Sequence, residues 1–334
     1  MSSSSTLEST TRLPTAADVE EAALRLAGQA VPTPLLRFPA LDARVGGRIL
    51  VKPETFQRNG SFKFRGAYNK VAGLAAAGVR AVVAYSSGNH AQGVADAARL
   101  CGLAATIIMP SDAPAIKIAN TRFYGAEVVL YDRHREDREM IARRIAAARG
   151  AVVIAPYEDA RVIAGQGTVG LEIARQAKAL GLTLDAVLAP VSGGGLIAGT
   201  AVALATACPG TQVYSVEPVG LDDLRRSLAA GERIANDPAA RSICDALLAP
   251  IPGAIAFALN RRLLAGGLAV PAGELLDAIA EGFADYKLVI EPGGAAALAA
   301  ILSGKLDIKG KTVAVIASGG NVDRGTFIKA LGGG

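Results

Sequence analysis

The sequence predicts an α/β fold in which a parallel sheet is flanked by helices. Three observations carry that prediction. From Ala75 onward, short apolar strands alternate with helix-length amphipathic runs, and glycine-rich turns stand at the strand-to-helix junctions. The chain is also long enough, at 334 residues with 51% hydrophobic content, to bury one large core or two domains. Parallel neighbours need a crossover between them, usually a helix, so the alternation implies βαβ units with ligands at the carboxyl ends of the strands.

Read in order, the first dozen residues are Ser/Thr-rich and are expected to be disordered. TAADVEEAALRL (15–26) combines a capping threonine with an amphipathic period and predicts a helix. VPTPLLRFPAL is extended, because proline fixes φ and disfavours helix in the residue before it. RILVK (48–52) is a short strand, and Glu54 and Gln57 beyond it read as polar loop residues. There follow the strand AVVAY, the SSGNH turn, the helix AQGVADAARLCG and the strands ATIIMP and AEVVLY. GQGTVGLEIARQAKALG predicts a helix with a glycine-rich entry, and LDAVLAPVSGGGLIAGTAVAL a buried strand, a glycine loop and a helix. QVYSVEP is a strand, 221–264 is mostly helix and loop, 274–287 is a helix, and KTVAVIASGGN closes the chain with a strand.

Composition narrows the class. Aromatics are 4% and Trp is absent, so Ala, Val, Leu and Ile must do most of the packing. The net charge of +5 is scattered and no nucleic-acid motif accompanies it, which argues against a nucleic-acid partner and suits anionic ligands. Cys101, Cys208 and Cys244 are widely spaced without a metal-ligand pattern, as reduced cytoplasmic thiols would be. The polar N-terminus lacks the apolar core of a signal peptide, and no apolar run is long enough to span a membrane, so a cytoplasmic protein is expected.

GSFKFRGAYNK (60–70) holds Lys63 between Phe62 and Phe64, directly after the helix-capping residue Ser61 and before the periodic run Ala67, Val71, Leu74. With Ser61 as the cap, Lys63 falls in the first turn, where the positive helix end and two aromatic neighbours disfavour an ammonium. A lysine held partly neutral is a nucleophile, which a Schiff base with an aldehyde cofactor requires. Seen alone, such a lysine is more often a solvated surface charge.

Four motifs in order, SFKFRGA, SSGNHAQG (86–93), SGGGLIAG (192–199) and SGGN (318–321), resemble the fold type II pyridoxal-phosphate enzymes. The resemblance is to their serine/threonine dehydratase and serine racemase branch, and it runs from about residue 31 to residue 323. Beyond the tail (1–14), expected to be disordered from its composition, it implies two domains, each with an open, mostly parallel sheet flanked by helices: a large cofactor domain (15–69 and 158–334) and a small inserted domain (70–157). Lys63 would carry pyridoxal phosphate, with Phe62 beside it and Gly193, Gly194, Gly195 and Leu196 around the phosphate. A glycine turn opening a helix presents N–H groups to an anion with the helix dipole behind them; unaided, that turn would equally suit a dinucleotide or simple packing. Many relatives have glycine at Ser192, whose hydroxyl would add a hydrogen bond or alter the loop.

By the same resemblance Ser86, Ser87, Gly88, Asn89 and His90 would hold the substrate carboxylate, Asn89 also lying near the cofactor's ring oxygen, and Glu291 would stand beside the ring. His134 is expected on the surface. Ser318 would face the pyridine nitrogen; serine cannot stabilise a full pyridinium charge, which tilts the chemistry toward prompt elimination. Glu217, the carbonyl of Leu221 and Asp223 are spaced as in the divalent-cation site of the racemase-like relatives, a donor set suited to Mg²⁺ or Ca²⁺.

The implied reaction is elimination from L-threonine and/or L-serine to a 2-keto acid and ammonia, with Lys63 as the base and the cofactor phosphate protonating the departing hydroxyl. Ser87 occupies the position of a second acid/base in the racemases, which keeps racemisation open. Dehydratases of threo-3-hydroxyaspartate or of a hydroxyectoine breakdown product share the framework. A non-catalytic sensor of an amino acid or nucleotide is the rival from another class, and it needs no nucleophilic lysine. A homo-oligomer, dimer or tetramer, is expected, with a small amino acid as substrate and no regulatory domain after SGGN.

Overall fold

In the computed structural model, which describes residues 12–86 and 88–332, two sheets organise the chain. Helix α1 (Ala16–Leu26) is capped by Thr15, whose hydroxyl accepts the N–H of Asp18 while the Asp18 carboxylate accepts the N–H of Thr15. Residues 12–14, the end of the stretch expected to be disordered, lie against this helix: Arg12 pairs with Asp18, and Leu13 packs beside Val19 and Ala22. The rest of that tail is outside the described residues.

Strand β1 (Leu36–Arg37) and helix α2 (Pro39–Val45) lead to β2 (Arg48–Pro53), and two short 3₁₀ turns bring the chain to α3 (Lys63–Ala76). Next come β3 (Ala81–Tyr85), α4 (Asn89–Leu100), β4 (Ala104–Pro110), α5 (Ala115–Phe123), β5 (Glu127–Tyr131), α6 (Arg138–Arg149) and β6 (Val152–Ile154). The second half runs through α7 (Ala160–Ala179), β7 (Ala186–Pro190), α8 (Gly195–Ala207), β8 (Gln212–Pro218), α9 (Asp223–Ala230) and α10 (Ala254–Leu263). It closes with β9 (Gly266–Val270), α11 (Ala272–Tyr286), α12 (Pro292–Leu302), β10 (Thr312–Ala317) and α13 (Arg324–Ala330).

The larger sheet has the order β1-β2-β10-β7-β8-β9 and is parallel except for the β1–β2 pair. The smaller, β5-β4-β3-β6, is parallel throughout. Both faces of the larger sheet are apolar because both are covered by helices. Ile49, Val51, Val313 and Val315 pack with α11 and α12 on one side, and Leu50, Ala314 and Ile316 pack with α7 and α8 on the other. In the small domain, Val82, Ala84, Ile107 and Met109 meet α3 and α4, while Val83 and Ile108 meet α6.

Three local expectations change. The glycines of GQGTVG lie inside α7 rather than at its entry, because the helix starts at Ala160, capped by Asp159, and needs those glycines for close packing. A Cβ at Gly167 would stand 2.7 Å from the Gly199 carbonyl oxygen of α8. Ser61 does not cap α3: it is extended, bridges to Gly319, and its hydroxyl is buried without a partner, while Phe62 takes the N-cap position and donates its N–H to the Ser318 carbonyl at 3.1 Å. The entry to α3 is therefore held by the end of β10, not by a side chain.

Glu54 and Gln57 are buried rather than loop residues in water. Glu54 accepts both Nε and Nη2 of Arg65, at 2.7 and 2.8 Å, and the hydroxyl of Thr33 at 2.7 Å. Arg65 also reaches Glu172 of α7, which pairs with Lys52 of β2 at 2.7 Å. Gln57 exchanges hydrogen bonds with the backbone of Val31, both at 2.9 Å. Every ion of this network is paired and hydrogen-bonded, the condition for tolerating buried charge; breaking such a pair costs about 3–5 kcal/mol. Its effect is to tie the helix that begins at Lys63 to β2 and α7.

Among the described residues no helix is long and apolar enough to cross a membrane. Cys101, Cys208 and Cys244 are free thiols.

Candidate active site

Parallel strands deliver their carboxyl ends to one side, and here the ends of β3, β6, β7 and β10 meet the starts of α3, α4 and α8 around a cleft between the two sheets. Phe62, Lys63, Ser86, Gly88, Asn89, His90, Gly193, Gly194, Gly195, Leu196, Glu291 and Ser318 all line it. Ser87 is outside the described residues. Glu217, Leu221 and Asp223 are not in the cleft but at the end of β8 and the start of α9.

Lys63 is the first residue of α3, and its ammonium donates to the Pro156 carbonyl at 3.2 Å and lies 5.1 Å from the centre of the Phe62 ring. Burial lowers its pKa to about 8, against the opposing charge of Glu291. Desolvation thus supplies the lowered pKa, and with it the partly neutral amine, that the sequence attributed to the helix end and the aromatic neighbours.

The Gly193–Gly195 turn forms a cradle. A Cβ at Gly193 would stand 2.2 Å from Cγ of Tyr157, and Gly194 has φ +90°, a region favouring glycine. The carbonyls point away: that of Gly193 accepts from the N–H of Gly253 at 3.0 Å and that of Gly194 from the Asn260 amide at 3.4 Å. The N–H groups of residues 193–196 find no carbonyl acceptor among the described residues, and they stand at the N-terminus of α8. Four unpaired donors on a positive helix end suit a phosphate. Ser192 also lines the cleft, and its hydroxyl accepts the Ala249 N–H at 3.0 Å, tying the cradle to a neighbouring loop.

At the start of α4, His90 is buried, with Nε2 at 3.1 Å from the Ile154 carbonyl. Burial, with Lys63 adding, lowers its pKa to about 3, so the ring is neutral. Since a carbonyl only accepts, Nε2 carries the proton and Nδ1 is left as a buried acceptor without a partner. The ring has no free donor for a carboxylate; the backbone N–H groups of Asn89 and His90, which bond to no carbonyl among the described residues, are the available ones. Asn89 donates through Nδ2 to Glu291 at 2.5 Å and accepts from Asn321 at 2.8 Å. Burial raises Glu291 to about 7, with Lys117 the chief opposing charge. Ser318 is buried directly after β10.

In the second cluster, Glu217 accepts the N–H groups of Leu224 and Arg225 at 2.9 and 2.8 Å, and Asp223 accepts the Asn236 amide at 2.7 Å. The Asp223 Oδ2 is buried without a partner among the described residues. Burial raises Asp223 to about 6; burial and the charge of Asp223 push Glu217 well above the carboxylate range. Two buried acids that resist ionising together would be relieved by a cation between them.

The sequence did not single out Lys117, Arg138, Tyr157 and Asp245, which also line the cleft. Arg138 stood in the charged run DRHREDRE, indistinguishable from solvated surface. It is half-buried at the start of α6, 5.4 Å from the centre of the Tyr85 ring, and has no carboxylate partner among the described residues. His134, from the same run, is exposed.

Residues 26–319 match the family model described as "Pyridoxal-phosphate dependent enzyme". The chain is 42% identical over 319 residues to an L-threo-3-hydroxyaspartate ammonia-lyase of Pseudomonas sp, spanning 95% of this chain and 98% of that protein. The fold is similar to that of a threonine deaminase from T.th., with a TM-score of 0.88, 43% identity and coverage of 93% of this chain and 99% of that one. It is similar also to maize serine racemase, with a TM-score of 0.89, 36% identity and coverage of 96% and 97%.

Proposed function

The chain belongs to the pyridoxal-phosphate dependent enzymes, and from that premise we propose an ammonia-lyase acting on short L-β-hydroxy amino acids, with L-threo-3-hydroxyaspartate preferred over L-serine and L-threonine. The observation that carries the preference is Arg138, a cation in the cleft with no acid of its own among the described residues, which suits a substrate with a second carboxylate.

The cradle of residues 193–196, with its unpaired N–H groups and no side chain at Gly193, fits the cofactor phosphate. Pyridoxal phosphate, when bound, supplies a carbonyl for Lys63 and a ring that takes up the electron pair left at the substrate α-carbon. The N–H groups of Asn89 and His90 hold the α-carboxylate, and Arg138 receives the β-carboxylate. Lys63, as the neutral amine, removes the α-proton. The Cα–H and Cβ–O bonds break, Lys63 takes the α-proton, and the hydroxyl takes up one proton as it leaves, so that proton and hydroxide together account for the water lost. The released enamine then takes up water and yields a 2-keto acid and ammonia, so the net reaction gains and loses no atoms.

The test is proton NMR of the loaded enzyme in D₂O with L-serine, L-threonine and L-threo-3-hydroxyaspartate offered separately. The expected result is keto acid from all three, with kcat/KM for hydroxyaspartate at least roughly tenfold above serine, as one added charged contact allows. Loss of the α-proton signal without keto acid would overturn the lyase reading in favour of racemisation.

We further propose that Glu217, the Leu221 carbonyl and Asp223 hold Mg²⁺ or Ca²⁺, supported by the buried, mutually repelling acids and the unpartnered Asp223 Oδ2. A cation at a hundredfold excess over its Kd stabilises the fold by about 2.7 kcal/mol, and the melting midpoint of chelator-treated enzyme should rise by several degrees on adding it. Asp223→Asn should remove that rise; an equal rise in the variant would assign the cation elsewhere.

A further inference from the structure

Helix α5 lies at the outside of the small domain, and its buried residues are Lys117 and Thr121 rather than an apolar stripe. Lys117 is 4% exposed, and lysine is almost never buried so deeply unless paired. Its ammonium pairs with Asp245, in the loop between α9 and α10 of the large domain, and stands 3.8 Å from Glu291 at the start of α12. On the way it passes the substrate turn, where a Cβ at Gly88 would sit 3.1 Å from Lys117 Cδ. Glu291 in turn accepts the Asn89 amide from the first turn of α4. A continuous set of contacts therefore runs from the outer helix, across the cleft, to the turn beside Lys63.

We propose that Lys117 is a positioning residue: through Asp245 and Glu291 its ammonium clamps the two sides of the cleft together and fixes the turn that binds the substrate carboxylate. That the turn binds substrate rests on the function proposed above; the clamp does not. Its electrostatics are consistent with the surroundings of Glu291, which is faced by Lys63 from α3, Lys117 from α5, the Asn89 amide from α4, and Asp245 and the Cys244 thiol from the 232–253 loop. Burial and Asp245 raise the acid toward neutrality; Lys117 is the leading charge that opposes them. Without Lys117, Glu291 protonates at higher pH and loses strength as the acceptor for Asn89.

The experiment uses the full chain loaded with pyridoxal phosphate, as wild type, Lys117→Met, Lys117→Arg, Asp245→Asn and the Lys117→Met/Asp245→Asn double variant. Amide hydrogen exchange over 88–95 and 240–250 is read first, because it needs no turnover. Lys117→Met and Asp245→Asn should each raise exchange about tenfold in both segments, Lys117→Arg should stay within about threefold of wild type, and the double variant should exchange no faster than Lys117→Met. With whichever amino acid the wild type turns over, KM should rise roughly tenfold in Lys117→Met with kcat changed less than about threefold, and the acidic limb of its kcat/KM profile should move to higher pH.

Wild-type exchange in Lys117→Met or in Asp245→Asn, or additive effects in the double variant, would overturn the clamp. Should Lys117→Met not fold, Lys117→Arg and Asp245→Asn still decide it by the same exchange criterion. A wild type that turns over none of the three amino acids would sink the proposed function and leave the exchange result to judge the clamp alone.

Discussion

Lys63→Ala should abolish turnover, with a fall of about 10⁴-fold or more, the upper range for removing a positioned general base even before loss of the covalent anchor is counted. The same variant should lose the visible absorption band of the loaded enzyme, and borohydride should no longer fix the cofactor to the peptide containing residue 63. Lys63 is the group to test because it is buried at the head of α3 and its amine titrates near 8 rather than in the ordinary lysine range. The sign follows from that lowering. Below about pH 8 the amine is mostly protonated and cannot attack a carbonyl, so reloading of stripped enzyme should speed up as pH rises through about 8 and then level off. A variant that kept the band and full activity would refute Lys63 as the anchor.

Arg138→Leu should lower kcat/KM for L-threo-3-hydroxyaspartate by roughly 10²-fold, because truncating one partner of a desolvated charge pair costs about 2–5 kcal/mol. Serine has no β-carboxylate, so its kcat/KM should stay within about threefold. The contrast between the two substrates is the measurement, and it separates specificity from damage to the fold. Arg138→Lys should fall between, since it keeps the charge and loses the planar fork. Equal losses for both substrates would mean that Arg138 supports the cleft through its stacking on Tyr85 and reads no carboxylate.

What could be read before folding had a local signature. AVVAY is apolar and β-rich between turn residues, and its strand occupies Ala81–Tyr85. The SGGGL loop and the SFKFRGA lysine are short motifs whose chemistry depends on neighbours a few residues away, and both line the same cleft. The misread residues depended on distant partners. Glu54 looked like a loop residue until Arg65 and, 107 residues beyond that arginine, Glu172 completed its network. Lys117, which no motif marked, meets Asp245 across 128 residues. The glycines of α7 looked like the entry to a helix because their reason for lying inside it, contact with α8, lies on another helix.

The sequence by itself therefore determined the α/β architecture, the glycine turn at the head of a helix, the lysine motif proposed as the nucleophile and, through its ordered motifs, the cofactor. Those features follow from periodicity, backbone freedom and short-range order, which a linear chain carries openly. The tertiary structure alone decided which charges are buried, why Lys63 titrates low, which way His90 carries its proton, and that a buried Lys117 and an Arg138 without an acid partner among the described residues stand in the cleft. Desolvation and pairing are properties of the space around a group, and that space exists only once residues a hundred or more positions apart have been packed together.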